Sequence, residues 1–406
     1  MKRQRWKGRV IGMLIPALGI ALNQQARAED IVIFGSHNTI RAMLVVPEES
    51  RPVRAVLTHV AHHPLEPRPR WTELCRQLQW AHLVMTINLK ESNRPRKLRE
   101  ALVPLLDDFA RRLNMPELNH AYIATAGHSA GGMGVNAFLP LKDRFLTGAI
   151  DCSWILNYEK EAEETLQIPL LFTMGGIPDA FKMLEAIPNH YDPARAKGAF
   201  ATLGIEWDKA HAFGNAGSLF VAWFLTIADL RLPSEPGPLR PINPTMTWLG
   251  DRGTWDTDDP KVYPANEFPG DPAQAVWLPD RRVAYVWRAY QSKSPPAELM
   301  VRQVGTETRL PDYKPATERQ LITEMDAPLE FSLVGGNEET IAEVHYYAYD
   351  RVLGVVTERP WTATFSLPSG VYSVFAEVRL KNGNVFVTHP ALLVLKKAGQ
   401  TYKRIE

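Results

Sequence analysis

The stretch Tyr122–Gly134, YIATAGHSAGGMG, decides how the rest of the chain is read. Its first half has the apolar and β-branched composition of a buried strand, and its second half is a run of small residues opening a helix. Ser129 stands at the junction, with Gly127 and Gly131 on either side in a G-x-S-x-G pattern. A sharp strand-to-helix turn needs residues that tolerate strained backbone angles. Strand and helix also approach too closely there for side chains. The same turn presents the amide of Ala130, at a helix amino terminus, to a developing oxyanion. Taken alone, the pattern also fits a plain glycine-rich turn, so its surroundings must decide.

Upstream, residues 31–62 hold three β-rich runs, IVIFGS, TIRAMLVVP and RAVLTHVA. A helical stretch in RWTELCRQLQW and a strand in HLVMTINL follow. In NRPRKLREALVPLLDDFARRLN, residues Leu98, Leu102, Leu105, Leu106, Phe109 and Leu113 recur at helical spacing, while Pro104 predicts a kink or break. Downstream come the strand LTGAIDCSWI, a short polar helix, the strand PLLFTMG and an apolar helix in NAGSLFVAWFLTIADLRL. Strands alternating with helices imply an α/β fold, a doubly wound and mostly parallel sheet covered on both faces. Ligands of such sheets sit beyond the carboxyl ends of the strands. Three reactive residues fall there: Ser129 after YIATAG, Asp179 after PLLFTMGG, and His211 in the loop EWDKAHAFGN. With an acid and a base at later strand ends, G-x-S-x-G reads as the turn of a nucleophile.

On these motifs, residues 31–230 resemble the α/β-hydrolase superfamily. GHSAGG is similar to the nucleophile turn of its esterases and lipases, IPLLFTMGGIPDAF to its acid turn, and the His211 loop to its histidine loop. The resemblance implies Ser129 as nucleophile, His211 as general base and Asp179 as the residue that orients it. Asp151, Glu206 and Asp208 are rival acids, the last two reading as solvated loop charges. It also implies an oxyanion hole from the amides of Ala130 and Ala61. Val60 in LTHVAHHP stands where many relatives carry glycine. His62 and His128 are expected to line the substrate pocket. His59, His62 and His63 lack a matched carboxylate or fourth ligand, so neither a metal nor a cofactor is expected. The segment NYEKEAEETLQIPLLF is too short for a large lid, which implies an open site.

The 406-residue chain is too long for one ordinary core. Its net charge is +1 with acids and bases interspersed, which argues against nucleic acid or an anionic membrane surface as partner. Lys2, Arg3, Arg5, Lys7 and Arg9 precede the apolar run VIGMLIPALGIAL and an A-x-A ending at Ala28. Residues 1–28 therefore read as a signal peptide cleaved after Ala28, for a secreted or periplasmic protein. The run is shorter than the ~20 apolar residues of a spanning helix, so no membrane span is expected after cleavage. Cys75 and Cys152 could pair in an oxidising compartment, but without a disulfide framework they read as two buried thiols.

The catalytic unit is expected over 29–232, followed by a Pro/Trp-rich linker and appendage over 233–326. LPSEPGPLRPINP reads as a stiff connector. Trp248, Trp255 and Trp277 read as packing residues, with an aromatic shelf for a sugar or aryl group as the alternative. A helix is expected from Arg281 to Tyr290. Residues 327–397 alternate in short strands such as WTATFSL and GVYSVFAEVRL, joined by turns at LPSG and KNGN, which predicts a small all-β sandwich. This segment resembles the immunoglobulin-like domains of bacterial secreted enzymes, where such units are spacers or packing partners. Together these features imply a secreted serine esterase working through an acyl-enzyme on a small-molecule or polymer-linked ester, cell-wall acyl groups among them. A peptidase of the same fold, or a non-catalytic binding or adhesion protein on a hydrolase scaffold, are the alternatives. The sequence does not specify an oligomeric state.

Overall fold

The computed structural model describes residues 29–62, 64–153, 163–179, 182–235, 237–324 and 327–405. The expected signal peptide, His63 and the first six residues (157–162) of the segment read as too short for a lid lie outside the described residues. Among the described residues, no helix is long and apolar enough to cross a membrane.

In chain order the first elements are β1 (Glu29–His37), β2 (Ile40–Val46), β3 (Ala55–Ala61), α1 (Pro69–Leu78), β4 (Trp80–Thr86) and α2 (Arg94–Leu113). Next come β5 (Tyr122–His128), α3 (Met133–Phe138), β6 (Phe145–Asp151), β7 (Leu170–Gly175), α4 (Asp192–Ala196), β8 (Ala201–Glu206) and α5 (Ala216–Arg231). They build one sheet in the order β1-β2-β4-β3-β5-β6-β7-β8, with the strand Thr401–Ile405 added outside β1. The β1/β2 and β2/β4 pairs are antiparallel, and every pair from β4/β3 to β7/β8 is parallel. The sheet is mostly parallel and doubly wound, with helices on both faces. Strands β4, β6, β7 and β8 are buried along their whole length, as befits parallel strands covered on both faces. β8, sequence ATLGIE, was not among the expected strands. A short apolar run buried on both sides has no alternation, so its periodicity does not separate strand from helix.

Helices α2 and α3 share a core with one face of the sheet, and α1 and α5 with the other. α2 runs unbroken through Pro104, contrary to the expected kink or break. Pro104 and Glu100, whose carbonyl the proline ring displaces, both lie on the exposed side, so water reaches that carbonyl. α5 is buried at every position from Ala216 to Ala228. A helix apolar all round needs cover on both sides. Here the sheet lies beneath it, while α6 (Arg281–Gln291) and the carboxy-terminal strands lie above.

The carboxy-terminal sandwich has two sheets. One joins Ala297–Gln303, Leu329–Gly335 and Thr362–Phe365. The other runs Gln320–Glu324, Ala391–Lys396, Gly370–Leu380, Ile341–Ala348, Arg351–Val356, with Val385–Val387 also on Gly370–Leu380. Side chains alternate along Gly370–Leu380 and Ala391–Lys396. Val374, Ala376, Val378, Leu393 and Leu395 enter the sandwich core. Val371, Phe375, Leu392 and Val394 share instead the core of Trp71, Leu74, Phe220 and Phe224 on the α/β side. Trp277 stacks on Phe200 with ring centroids 4.8 Å apart, Trp255 meets Trp207 edge-on, and Trp248 meets Tyr285 edge-on. In the structure, all three tryptophans pack on neighbouring rings.

Candidate active site

β5 delivers Ser129 into a left-handed backbone conformation, φ +53°, which costs a non-glycine residue about 1–3 kcal/mol. The flanking glycines make that turn possible. A Cβ at Gly127 would lie 2.3 Å from the Gly131 carbonyl oxygen, and one at Gly131 would lie 2.6 Å from that of Val60. The Ser129 Oγ is 2.8 Å from His211 Nε2, and His211 Nδ1 is 3.2 Å from Asp179 Oδ2. A carboxylate only accepts, so Nδ1 carries the imidazole proton and Nε2 accepts from the serine hydroxyl. The three side chains come from three loops and form one hydrogen-bonded row.

Two backbone hydrogen bonds hold the acid turn against the histidine loop, from Gly176 N to Glu206 O and from Ile177 N to Lys209 O, each 2.9 Å. The approach is close enough that a Cβ at Gly175 would sit 2.1 Å from the Lys209 carbonyl oxygen. The glycine pair of TMGG is therefore the signal in the sequence for this crossing.

Beneath the row lies a buried ionic network. Lys209 Nζ is 2.9 Å from Asp151 Oδ1 and 3.4 Å from Glu206 Oε2, and it donates to the Phe213 carbonyl at 3.2 Å. Thr173 donates to the same Asp151 oxygen at 2.8 Å, and His128 Nδ1 meets the other at 2.7 Å. Burial alone would raise the Asp151 carboxyl, but Lys209 and His128 together hold it below the usual range. Burial likewise opposes the Lys209 charge, yet Asp151 raises that ammonium well above its ordinary value. Glu206 is not the solvated loop charge expected from sequence. It is buried, accepts from the Asn215 amide at 3.0 Å and side chain at 3.2 Å, and burial pushes its carboxyl up. Asp208 is also engaged, accepting from the Tyr313 hydroxyl. Nothing in the spacing of EWDKAHAF marked Lys209 as buried. Its burial depends on chain segments far away in sequence.

A cavity of about 300 Å³ opens on Ser129 and His211 and is lined also by Ala130, Met133, Met183 and Arg94. Ala130 is thus at the site, while Ala61, at the end of β3, and His62 do not line this cavity. His62 borders a separate groove with Arg41 and Arg112. His128 turns its ring to Asp151, with its centroid 5.3 Å from that of His211. Among the described residues, one group has metal-ligand spacing: His128, Asp151 and Cys152, with ligand atoms within 4.8 Å of one another. The Lys209 ammonium already neutralises Asp151, and burial pushes the Cys152 thiol up to about 12, keeping it protonated. Both oppose a cation there. Cys75 and Cys152 are buried free thiols.

No protein-family model matches the sequence, and no curated protein matches it. Among solved structures, the chain is similar to an α/β hydrolase enzyme from a Medee basin deep-sea metagenome library, at 13% identity over 50% of this chain and 100% of that one, TM-score 0.36. It is also similar to dienelactone hydrolase from Anabaena variabilis, at 18% identity over 48% and 97%, TM-score 0.34. Fibronectin(III)-like modules of Clostridium thermocellum CbhA match at 11% identity over 24% and 98%, TM-score 0.18.

Proposed function

We propose that this chain is a serine hydrolase of carboxylic esters, exported under the direction of residues 1–28. The observation that carries the proposal is the hydrogen-bonded row Ser129–His211–Asp179, beginning at a strained serine between two obligatory glycines. His211 Nε2 takes the Ser129 proton as Oγ attacks the ester carbonyl. Asp179 keeps the imidazole in the required tautomer and stabilises the imidazolium that forms. The Ala130 amide holds the oxyanion, and Ala61, the second donor expected from sequence, lies outside the cavity. The alcohol leaves with the proton from His211, and water, deprotonated in turn by His211, releases the acid from the acyl-enzyme.

A fluorophosphonate probe tests the reading without knowledge of the substrate, because it reacts with an activated serine. The expected result is labelling of the wild type, none of Ser129→Ala, and a loss of ester turnover of about 10⁴-fold or more in that variant. A folded Ser129→Ala that keeps a tenth of the activity overturns the assignment.

A further inference from the structure

We infer that the ester cleaved at Ser129 carries a carboxylate, received by Arg94. The inference rests on the serine-hydrolase reading and names the substrate class for that same site. Arg94 opens α2 and lines the cavity that holds Ser129 and His211. Among the described residues lining that cavity it is the one permanently charged side chain, and no carboxylate faces it there. Its one hydrogen bond among the described residues runs from Nη1 to the Leu89 carbonyl at 3.3 Å, which leaves most of its five N–H donors unused.

Arg54, Arg144 and Arg231, also partly buried, donate to backbone carbonyls away from the cavity, and three further arginines are paired with carboxylates. Arg76 meets Asp30 at 2.7 Å, Arg288 meets Asp259 and Glu377 at 2.5 Å each, and Arg252 meets Asp192 at 2.6 Å. Arg94 is half-buried beside the nucleophile with no such partner. A planar guanidinium with a spare fork of donors matches a carboxylate, and charge-assisted pairing is stronger than neutral hydrogen bonding. Asn136 and Ser153 line the same cavity and add neutral donors. A cavity of this volume is roughly 8 Å across, so the carboxylate must lie a short spacer away from the scissile carbonyl.

Two substrate pairs locate the charge. Monomethyl succinate against methyl butyrate puts it on the acyl side, and 4-acetoxybenzoate against phenyl acetate puts it on the alcohol side. For each pair the readout is the ratio of kcat/KM, anionic over neutral, per probe-titrated serine at low salt. In at least one pair the wild-type ratio is expected to exceed that of Arg94→Gln by about tenfold, with the change carried mainly by KM. Arg94→Lys should restore part of the ratio, Arg94→Glu should lower it further, and added salt should shrink it in the wild type. Ratios equal within twofold between wild type and Arg94→Gln, for both pairs, overturn the inference. So does a probe-reactive wild type that turns over neither anionic ester. Failure of the Ser129 reading looks different: the wild type is not labelled, or Ser129→Ala keeps its turnover.

Discussion

Lys209 Nζ lies 2.9 Å from Asp151 Oδ1 with both side chains fully buried, and this pair ties the turn that carries Ser129 to the loop that carries His211. Asp151 holds His128, the residue before Ser129, and Lys209 lies two residues before His211. Removing one partner of a buried pair strands the other charge, at a cost of about 3–5 kcal/mol. Lys209→Met is accordingly expected to lower unfolding stability by about 3 kcal/mol or more. Adding Asp151→Asn should recover part of that loss, because the Asp151 charge is then no longer stranded, while buried Glu206 still lacks its ammonium partner. Urea unfolding of both variants checks this. A single variant within about 1 kcal/mol of wild type would count against the pair as the tie between the loops.

Asp179 and Asp151 are distinguished by what each removal does. Asp179→Asn should leave the fold intact and reduce kcat by about 10⁴-fold, since the amide holds His211 in the wrong tautomer. Asp151→Asn should cost mainly stability, because that carboxylate serves Lys209, Thr173 and His128. Turnover per folded molecule, read beside thermal unfolding, separates the two. If Asp151→Asn proves the crippling change, the acid has been assigned to the wrong strand.

The sandwich is expected to be required for the α/β unit to fold. Val371, Phe375, Leu392 and Val394 lie in one core with Trp71, Phe220 and Phe224. Tyr313 reaches Asp208 in the histidine loop, and the Arg319 amide donates to Asn215 Oδ1 at 3.2 Å. A chain ended near residue 296 would expose that face of α5 to water and release the loop. Its expected behaviour is aggregation or non-cooperative melting, with little probe labelling. A soluble, labelled product with a cooperative transition would make the sandwich a spacer after all.

His82 should make stability fall in acid. It is buried within β4, neither ring nitrogen has a hydrogen-bond partner among the described residues, and burial, with Arg68 and Arg70 nearby, pushes its pKa down to about 3. The unfolded chain protonates this histidine below about pH 6.5. The stability that a neutral His82 contributes is therefore complete above that pH and is lost as pH falls towards the folded value, by ~1.4 kcal/mol per unit. Replacement by leucine should flatten the pH dependence of urea stability by about that slope between about pH 4 and 6. An unchanged slope would mean that His82 is protonated in the folded state.

The sequence by itself determined the elements whose cause is local. The strand-turn-helix at Ser129 was legible because the glycines answer to atoms only a few residues away, Gly127 against Gly131. The helix of α5 was legible from its composition, and its all-round apolarity already required a second cover. Tertiary structure alone decided what that cover is, since the choice of face on Gly370–Leu380 is a matter of docking. It also decided the fate of the charges. Asp151, Glu206, Asp208 and Asp179 are alike as acidic residues near strand ends. What separates them is a lysine 58 residues from Asp151, an asparagine amide at Glu206, a tyrosine 105 residues from Asp208, and a histidine 32 residues from Asp179. The physical reason is that a backbone preference is set by neighbours along the chain. The state of a carboxylate is set by local dielectric and by the partner that folding brings beside it.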